Sequence, residues 1–216
     1  MGSIDSVICV HGFWSHGTGM VLIKRHLENE YGLRAHLFSY PSVSGTLDEN
    51  ADRLAEFIQR EKLENSHIVA HSLGGVVSLR MLARGDVDLG GRLVCMGSPL
   101  AGSRSAEFLQ KVDWAGTIIG KTLPEGTLHS TANEWSGDVC ERYDVGVIAG
   151  NIPVGIGQLT GLFSEGSDGT VALSETKLEG ATDHIELKVS HMGMLISRDV
   201  ADQAAAFLKR GEFLRS

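Results

Sequence analysis

The chain has 216 residues, enough for one domain with a sizeable core and too few for a second of similar size. Its formal net charge is −8, with acidic and basic residues interspersed and no basic run, which excludes the electrostatic footprint of a nucleic-acid binder. The three cysteines, Cys9, Cys95 and Cys140, show no CxxC spacing, and two of them sit in apolar strand-like runs; neither a disulfide framework nor a zinc site is expected, and no other metal or cofactor is indicated.

The opening Met-Gly-Ser-Ile-Asp-Ser lacks a basic region followed by a long apolar stretch, and no segment reaches transmembrane length. A soluble, cytoplasmic protein without stable membrane insertion is therefore expected. The match to the loose myristoylation pattern Met-Gly-x-x-x-Ser reads as coincidence or a cloning scar, because a strand beginning by Ser6 leaves almost no tether.

Ser6 to Val10 predicts the first strand, and Met20, Ile23, Leu27 and Tyr31 then repeat at helical spacing. Leu33 to Tyr40 predicts a second strand. After Pro41, Thr46 and Glu49 form a capping box, opening a helix whose apolar face is Leu47, Ala51, Leu54 and Ile58. His67 to Ala70 is a short buried strand, Val76 to Ala83 a helix apolar nearly all round, and Arg92 to Met96 another strand. Residues 100 to 142 are irregular and rich in Gly, Ser and Thr, with a helix-like stretch at Ser105 to Val112. Val145 to Ala149 and Ile185 to Val189 follow as strands, and a final helix carries Val200, Ala204 and Phe207. Repeated β-α-β units imply an α/β fold: a single domain with a mostly parallel central sheet and helices on both faces. Residues 101–142 are expected to form a small cap or long loop beside the pocket or, equally, a helical excursion that packs on the sheet.

Ser72, in Val-Ala-His-Ser-Leu-Gly-Gly at 69 to 75, falls where a central strand turns directly into a buried helix. A serine there is presented on a sharp turn at the carboxyl end of the sheet, and its neighbours two before and two after must be small, as Ala70 and Gly74 are. The plainer alternative is that Ser72 merely caps the helix. A serine hydroxyl is a weak nucleophile without a base. Of the nine histidines, His129, His184 and His191 follow Ser72, and only His191 lies at the carboxyl end of a predicted strand, where reactive groups gather. An isolated histidine there would read as a helix cap or surface residue. His11 fits a structural role in the turn after the first strand.

The base needs an acidic partner lying before it on a strand-end loop. Asp168 in Ser-Asp-Gly-Thr-Val is best placed, although Asp-Gly is also an ordinary turn. Asp144 is the runner-up but precedes its strand, and Glu165 is a weaker rival in the same loop. Donors for an oxyanion are expected from the Leu73 amide and, in His-Gly-Phe-Trp at 11 to 14, from the Phe13 amide, with Gly12 allowing close backbone approach. Phe13, Trp14, Leu100, Met192 and Met194 would give the site an apolar surround suited to an acyl chain, although aromatic and Met residues near strand ends belong as often to the core as to a pocket.

The ordered set His-Gly-Phe-Trp at 11 to 14, Phe-Ser-Tyr-Pro-Ser at 38 to 42, Ala-His-Ser-Leu-Gly-Gly at 70 to 75, Gly-Ser-Pro-Leu-Ala-Gly-Ser at 97 to 103, Ser-Asp-Gly-Thr-Val at 167 to 171 and Ser-His-Met-Gly-Met at 190 to 194 resembles the α/β-hydrolase superfamily. Within it the chain is similar to small bacterial lipases and carboxylesterases whose elbow also reads Ala-His-Ser-x-Gly-Gly. The resemblance covers nearly the whole chain and is weakest over 101 to 142. It implies a Ser72, Asp168, His191 triad, an oxyanion hole at Phe13 and Leu73, and cleavage of small-molecule esters or lipids through an acyl-enzyme without a metal. The superfamily also includes thioesterases, acyltransferases and amidases, and a catalytically silent binding module remains open on the same fold.

Overall fold

The computed structural model describes residues 4–13, 16–102, 132–154 and 166–215. Within them the elements run β1 (Ser6–Val10), α1 (Val21–Tyr31), β2 (Arg34–Phe38), α2 (Leu47–Glu61), β3 (His67–His71), α3 (Leu73–Arg84), β4 (Leu93–Met96), α4 (Ala132–Trp135), α5 (Gly137–Arg142), β5 (Val145–Gly150), β6 (Asp183–Leu187) and α6 (Arg198–Arg210). The six described strands form one parallel sheet in the order β2-β1-β3-β4-β5-β6. Both of its faces are covered by helices, so β1, β3, β4 and β5 are buried along their whole length. That is why they read as continuous apolar runs rather than alternating ones.

The strand contents divide the core in two. Ile8, Ile68, Leu93 and Val147 point to the face covered by α2 and α3, where Leu54, Ile58, Leu79 and Leu82 meet them. Val7, Val69, Val94 and Ile148 point to the other face, packed by Ile23 and Leu27 of α1 and by Val200, Ala204 and Phe207 of α6. Each fully enclosed aliphatic or aromatic side chain contributes about 1.5–3 kcal/mol by leaving water. Cys9 and Cys95 belong to these layers as small apolar groups, and burial pushes both thiols up, Cys9 to about 12.

The α2 capping box forms as its spacing predicts: the Glu49 amide donates to Thr46 Oγ1 at 3.1 Å and the Thr46 amide to Glu49 Oε2 at 2.9 Å. Several boundaries differ from the sequence expectation by a residue or more, and the larger shifts have physical causes. β2 stops at Phe38 because the Tyr40 amide donates to His11 Nε2 instead of a strand partner. α3 begins at Leu73, so Leu-Gly-Gly is helical despite two poor helix formers. β6 runs from Asp183 rather than Ile185, because its register is set by β5, with Gly146 opposite Asp183 and Gly150 opposite Leu187. The polar residues this brings into the strand are satisfied: Asp183 accepts from the Phe213 amide at 2.8 Å and pairs with Arg215, while His184 Nε2 meets Thr176 Oγ1 at 3.0 Å.

The strand order places one junction in view. From β1 the chain passes outward to β2 and then returns to β3 on the other side, so the loops after β1 and β3 diverge at their carboxyl ends and leave a crevice between them.

Candidate active site

Ser72 stands at that crevice. It is the first residue beyond β3, with φ 54° and ψ −125°, a conformation that L-residues rarely adopt. The turn is held because the Ser72 amide donates to the Met96 carbonyl of β4 at 2.8 Å and its carbonyl accepts from Gly75 at 3.0 Å. Ser72 occupies the N-cap position of α3, yet its side chain makes no capping bond. The hydroxyl points elsewhere, and the helix-cap alternative fails on geometry. The small size expected at position 74 has a visible cause. A Cβ there would lie 2.5 Å from the His11 carbonyl oxygen and 2.7 Å from that of Val10, so it is the β1 backbone that presses on the elbow.

Ser72 Oγ lies 3.0 Å from His191 Nε2, and His191 Nδ1 lies 2.7 Å from Asp168 Oδ2. An ionised Asp168 can only accept, which assigns the proton to Nδ1 and leaves Nε2 to accept from the serine hydroxyl. Asp168 is fully enclosed and His191 is 6% exposed, so little water competes for either. Burying a carboxylate demands partners, and Asp168 has them: Oδ1 accepts from the amides of Thr170 at 2.9 Å and Val171 at 2.7 Å. The loop closes on itself with Gly169 at φ 94° and a bridge between Ser167 and Ala172. It leans on the end of β5, where a side chain at Gly150 would strike the Asp168 Cβ. A backbone bond, His191 amide to Asp168 carbonyl at 2.9 Å, ties the two loops together.

Asp144 lies apart from this group. It precedes β5 at the opposite edge of the sheet and pairs with Arg92 at 2.8 Å. His184 is engaged with Thr176 on β6, and His129, Glu165 and Trp14 lie outside the described residues, as does most of 101–142.

The loop after β1 passes directly beside the serine, since a Cβ on Gly12 would come within 2.8 Å of Ser72 Cβ. His11 shapes this loop. Its Nε2 accepts from the Tyr40 amide, so Nδ1 carries the proton and donates to the Gly12 carbonyl at 2.7 Å. Tyr40 also donates its hydroxyl to the His11 carbonyl at 2.9 Å and stacks on the imidazole at 4.4 Å. In a trans peptide the N–H opposes the C=O, so holding the Gly12 carbonyl fixes the direction of the Phe13 amide. Leu73, first in α3, has an amide that no intrahelical carbonyl reaches.

Of the apolar residues named from sequence, Phe13 packs half-buried against the α2/α3 side of the core, Leu100 is buried in that same core, Met194 is buried in the other, and Met192 is 64% exposed beside His191. Two grooves open elsewhere, one of about 610 Å³ between α1 and α6 and one of about 820 Å³ at the amino ends of the strands; neither is lined by Ser72, Asp168 or His191. Among the described residues no group of three or more His, Cys, Asp or Glu side chains could hold a metal ion, and no helix is long and apolar enough to cross a membrane.

Two contributors escaped the sequence reading. Gly97, just past β4 at φ 57°, sits beneath the acid–base pair: a Cβ there would lie 3.0 Å from Asp168 Oδ2 and 3.2 Å from His191 Nδ1. The other is His71, whose Nε2 lies 3.0 Å from the His191 carbonyl. Both stood inside quoted motifs, but spacing alone carries no sign of what they touch.

The sequence profile of the alpha/beta hydrolase family matches residues 7–172. No curated protein matches the chain in sequence. Among solved structures, the chain is similar to the mature lipase BlEst2 of Bacillus licheniformis, with a TM-score of 0.72 and 18% identity over 96% of this chain and 91% of that one. It is also similar to phospholipase PlaB of Legionella pneumophila, with a TM-score of 0.69 and 19% identity over 94% of this chain and 57% of that one. A third likeness is to the metagenomic carboxyl esterase MGS0156, with a TM-score of 0.67 and 14% identity over 88% of this chain and 65% of that one. At these identities the likeness is one of fold, and the chain spans less than two thirds of the second and third proteins.

Proposed function

The chain belongs to the alpha/beta hydrolase family, and from that premise we propose that it is a serine hydrolase of carboxylic esters, a carboxylesterase or lipase, working through an acyl-enzyme on Ser72. The observation that carries this reading is the unbroken line from Ser72 Oγ through His191 to the buried Asp168 carboxylate, set at the crevice of the sheet.

Each group has a step. As Ser72 Oγ attacks the acyl carbonyl, its proton passes to His191 Nε2, and Asp168 stabilises the imidazolium while holding the ring. The carbonyl electrons move onto oxygen, which the amides of Phe13 and Leu73 receive. Collapse of the intermediate expels the alkoxide, protonated by His191, and water then repeats the sequence on the acyl-enzyme. Met192, exposed beside His191, is proposed to contact the substrate; Leu100, expected there too, is fully enclosed in the core, and Trp14 and most of the expected cap at 101–142 lie outside the described residues. The names lipase, phospholipase and carboxyl esterase among the similar folds support an acyl ester over other acyl donors.

The test is labelling by an alkyl fluorophosphonate, followed by turnover of aryl esters of graded chain length beside acyl-thioesters. Labelling that disappears in Ser72→Ala, with esters turned over fastest, is the expected result. A wild-type protein that takes no label would leave a silent binding module, and faster thioester cleavage would move the reading to a thioesterase.

A further inference from the structure

His191 must hold its imidazole at one angle although it lies on an irregular loop, beyond the end of β6 at Leu187 and before α6. Two backbone groups flank its side chain, and both are anchored. The amide is held by the Asp168 carbonyl at 2.9 Å. The carbonyl is held by His71, the last residue of β3 and the immediate neighbour of Ser72, through Nε2 at 3.0 Å. The base is thus tied on one side to the loop of its acid and on the other to the elbow of its nucleophile.

A carbonyl only accepts, so His71 Nε2 carries a proton and donates. The His71 ring is 3% exposed and lies 4.7 Å from the His191 ring, inclined at 47°. Burial, then the nearby His191, hold its pKa down to about 3, so it is neutral wherever the site would work. Neutrality suits the place, because a charged neighbour would repel the imidazolium that His191 becomes in each cycle. His71 also faces the loop after β1: a Cβ on Gly12 would lie 3.1 Å from His71 Nδ1.

Resting on the reading of Ser72 as nucleophile, we propose that His71 is a positioning residue, whose Nε2–H on the His191 carbonyl sets the imidazole at the angle from which Nε2 takes the Ser72 proton. It touches no reacting atom, and its effect passes through His191. The alternative is a buried histidine that only contributes to stability.

Three variants separate these. In His71→Gln the amide nitrogen stands as many bonds from Cβ as the imidazole Nε2, and it can donate to the same carbonyl. In His71→Asn it is one bond short, and in His71→Leu there is no donor. His71→Leu and His71→Asn are expected to lose about a hundredfold in kcat, the loss typical of a misplaced catalytic group, with KM little changed, and to take the fluorophosphonate correspondingly slowly. His71→Gln is expected to recover most of both rates even where its melting temperature is no higher than theirs. Should His71→Leu fail to fold, the Gln–Asn pair carries the comparison alone. Equal rates in Gln and Asn, or rates that follow melting temperature across the set, overturn the proposal. A wild type that does not label at all removes the hydrolase reading itself, whereas labelling at one rate in wild type and variants removes only the role of His71.

Discussion

Ser72 holds a backbone conformation that costs on the order of 1–3 kcal/mol in an L-residue, and the turn around it supplies the restraint. The strain makes a paired expectation. Ser72→Ala is expected to lose about a millionfold in kcat and stay folded, while Ser72→Gly, equally inactive, is expected to gain about 1 kcal/mol of stability as the positive φ becomes permissible. Denaturant melts of the two variants beside wild type check this; a Gly variant less stable than Ala would mean the turn is not strained. The acid can be tested the same way. Asp168→Asn is expected to lose roughly ten-thousandfold through the wrong His191 tautomer, whereas Asp144→Asn, which disturbs only a part-exposed pair with Arg92, should leave turnover nearly unchanged. Reversed effects in the steady-state assay would move the acid from Asp168 to Asp144. Legibility at this scale followed chain geometry. That Ser72, His191 and Asp168 come together is legible in the sequence because each lies on a segment that follows a strand periodicity reveals, even though Asp168 is well past the end of β5. His71 and Gly97 are not legible in that way, since their importance lies in what they touch across the sheet.

Among the elements, those held by local chemistry are the most legible in the sequence. The α2 capping box joins residues three apart, so its sequence pattern is its structure; Thr46→Ala is expected to cost about 1 kcal/mol by thermal melt without altering KM. Boundaries set by distant partners are the least legible. Tyr40 leaves β2 because His11 claims its amide, and β6 takes in Asp183 and His184 because β5 sets its register while Phe213 and Arg215 satisfy Asp183 and Thr176 satisfies His184. The segment after β4 shows the same dependence in functional form. Gly97→Ala is expected to force apart Asp168 and His191, and to place a Cβ on a left-handed backbone. Its turnover should fall about a hundredfold, well beyond what the accompanying loss of stability explains. Wild-type kcat in a folded Gly97→Ala variant would show that the pair tolerates displacement.

At the scale of the molecule, the parallel sheet with helices on both faces was legible because β-α-β alternation leaves few other arrangements. The histidines buried within it carry a pH consequence that the sequence does not show. Desolvation, with nearby Arg92, holds His67 to about 4, and His71 lies near 3, against 6.5 in an open chain. Below 6.5 the unfolded chain binds protons that the folded state refuses, so stability is complete above that pH and is lost as pH falls toward the folded values. Each such histidine steepens the loss by about 1.4 kcal/mol per pH unit. Melts between pH 6.5 and 5 should therefore show a fall that His67→Asn, which keeps an acceptor for the Arg92 amide, partly flattens. An unchanged slope would mean that His67 titrates normally.

The bond between Ser72 and His191 joins residues 119 apart in the chain, and Asp168 lies in the segment between β5 and β6. Long-range parallel pairing closes large loops before any contact rewards it, and is intrinsically slow. The site can therefore assemble only when the carboxyl-terminal third has joined the sheet. In refolding from denaturant, recovery of fluorophosphonate labelling is expected to lag behind the helical circular-dichroism signal, so the nucleophile becomes reactive last and reports the completion of folding.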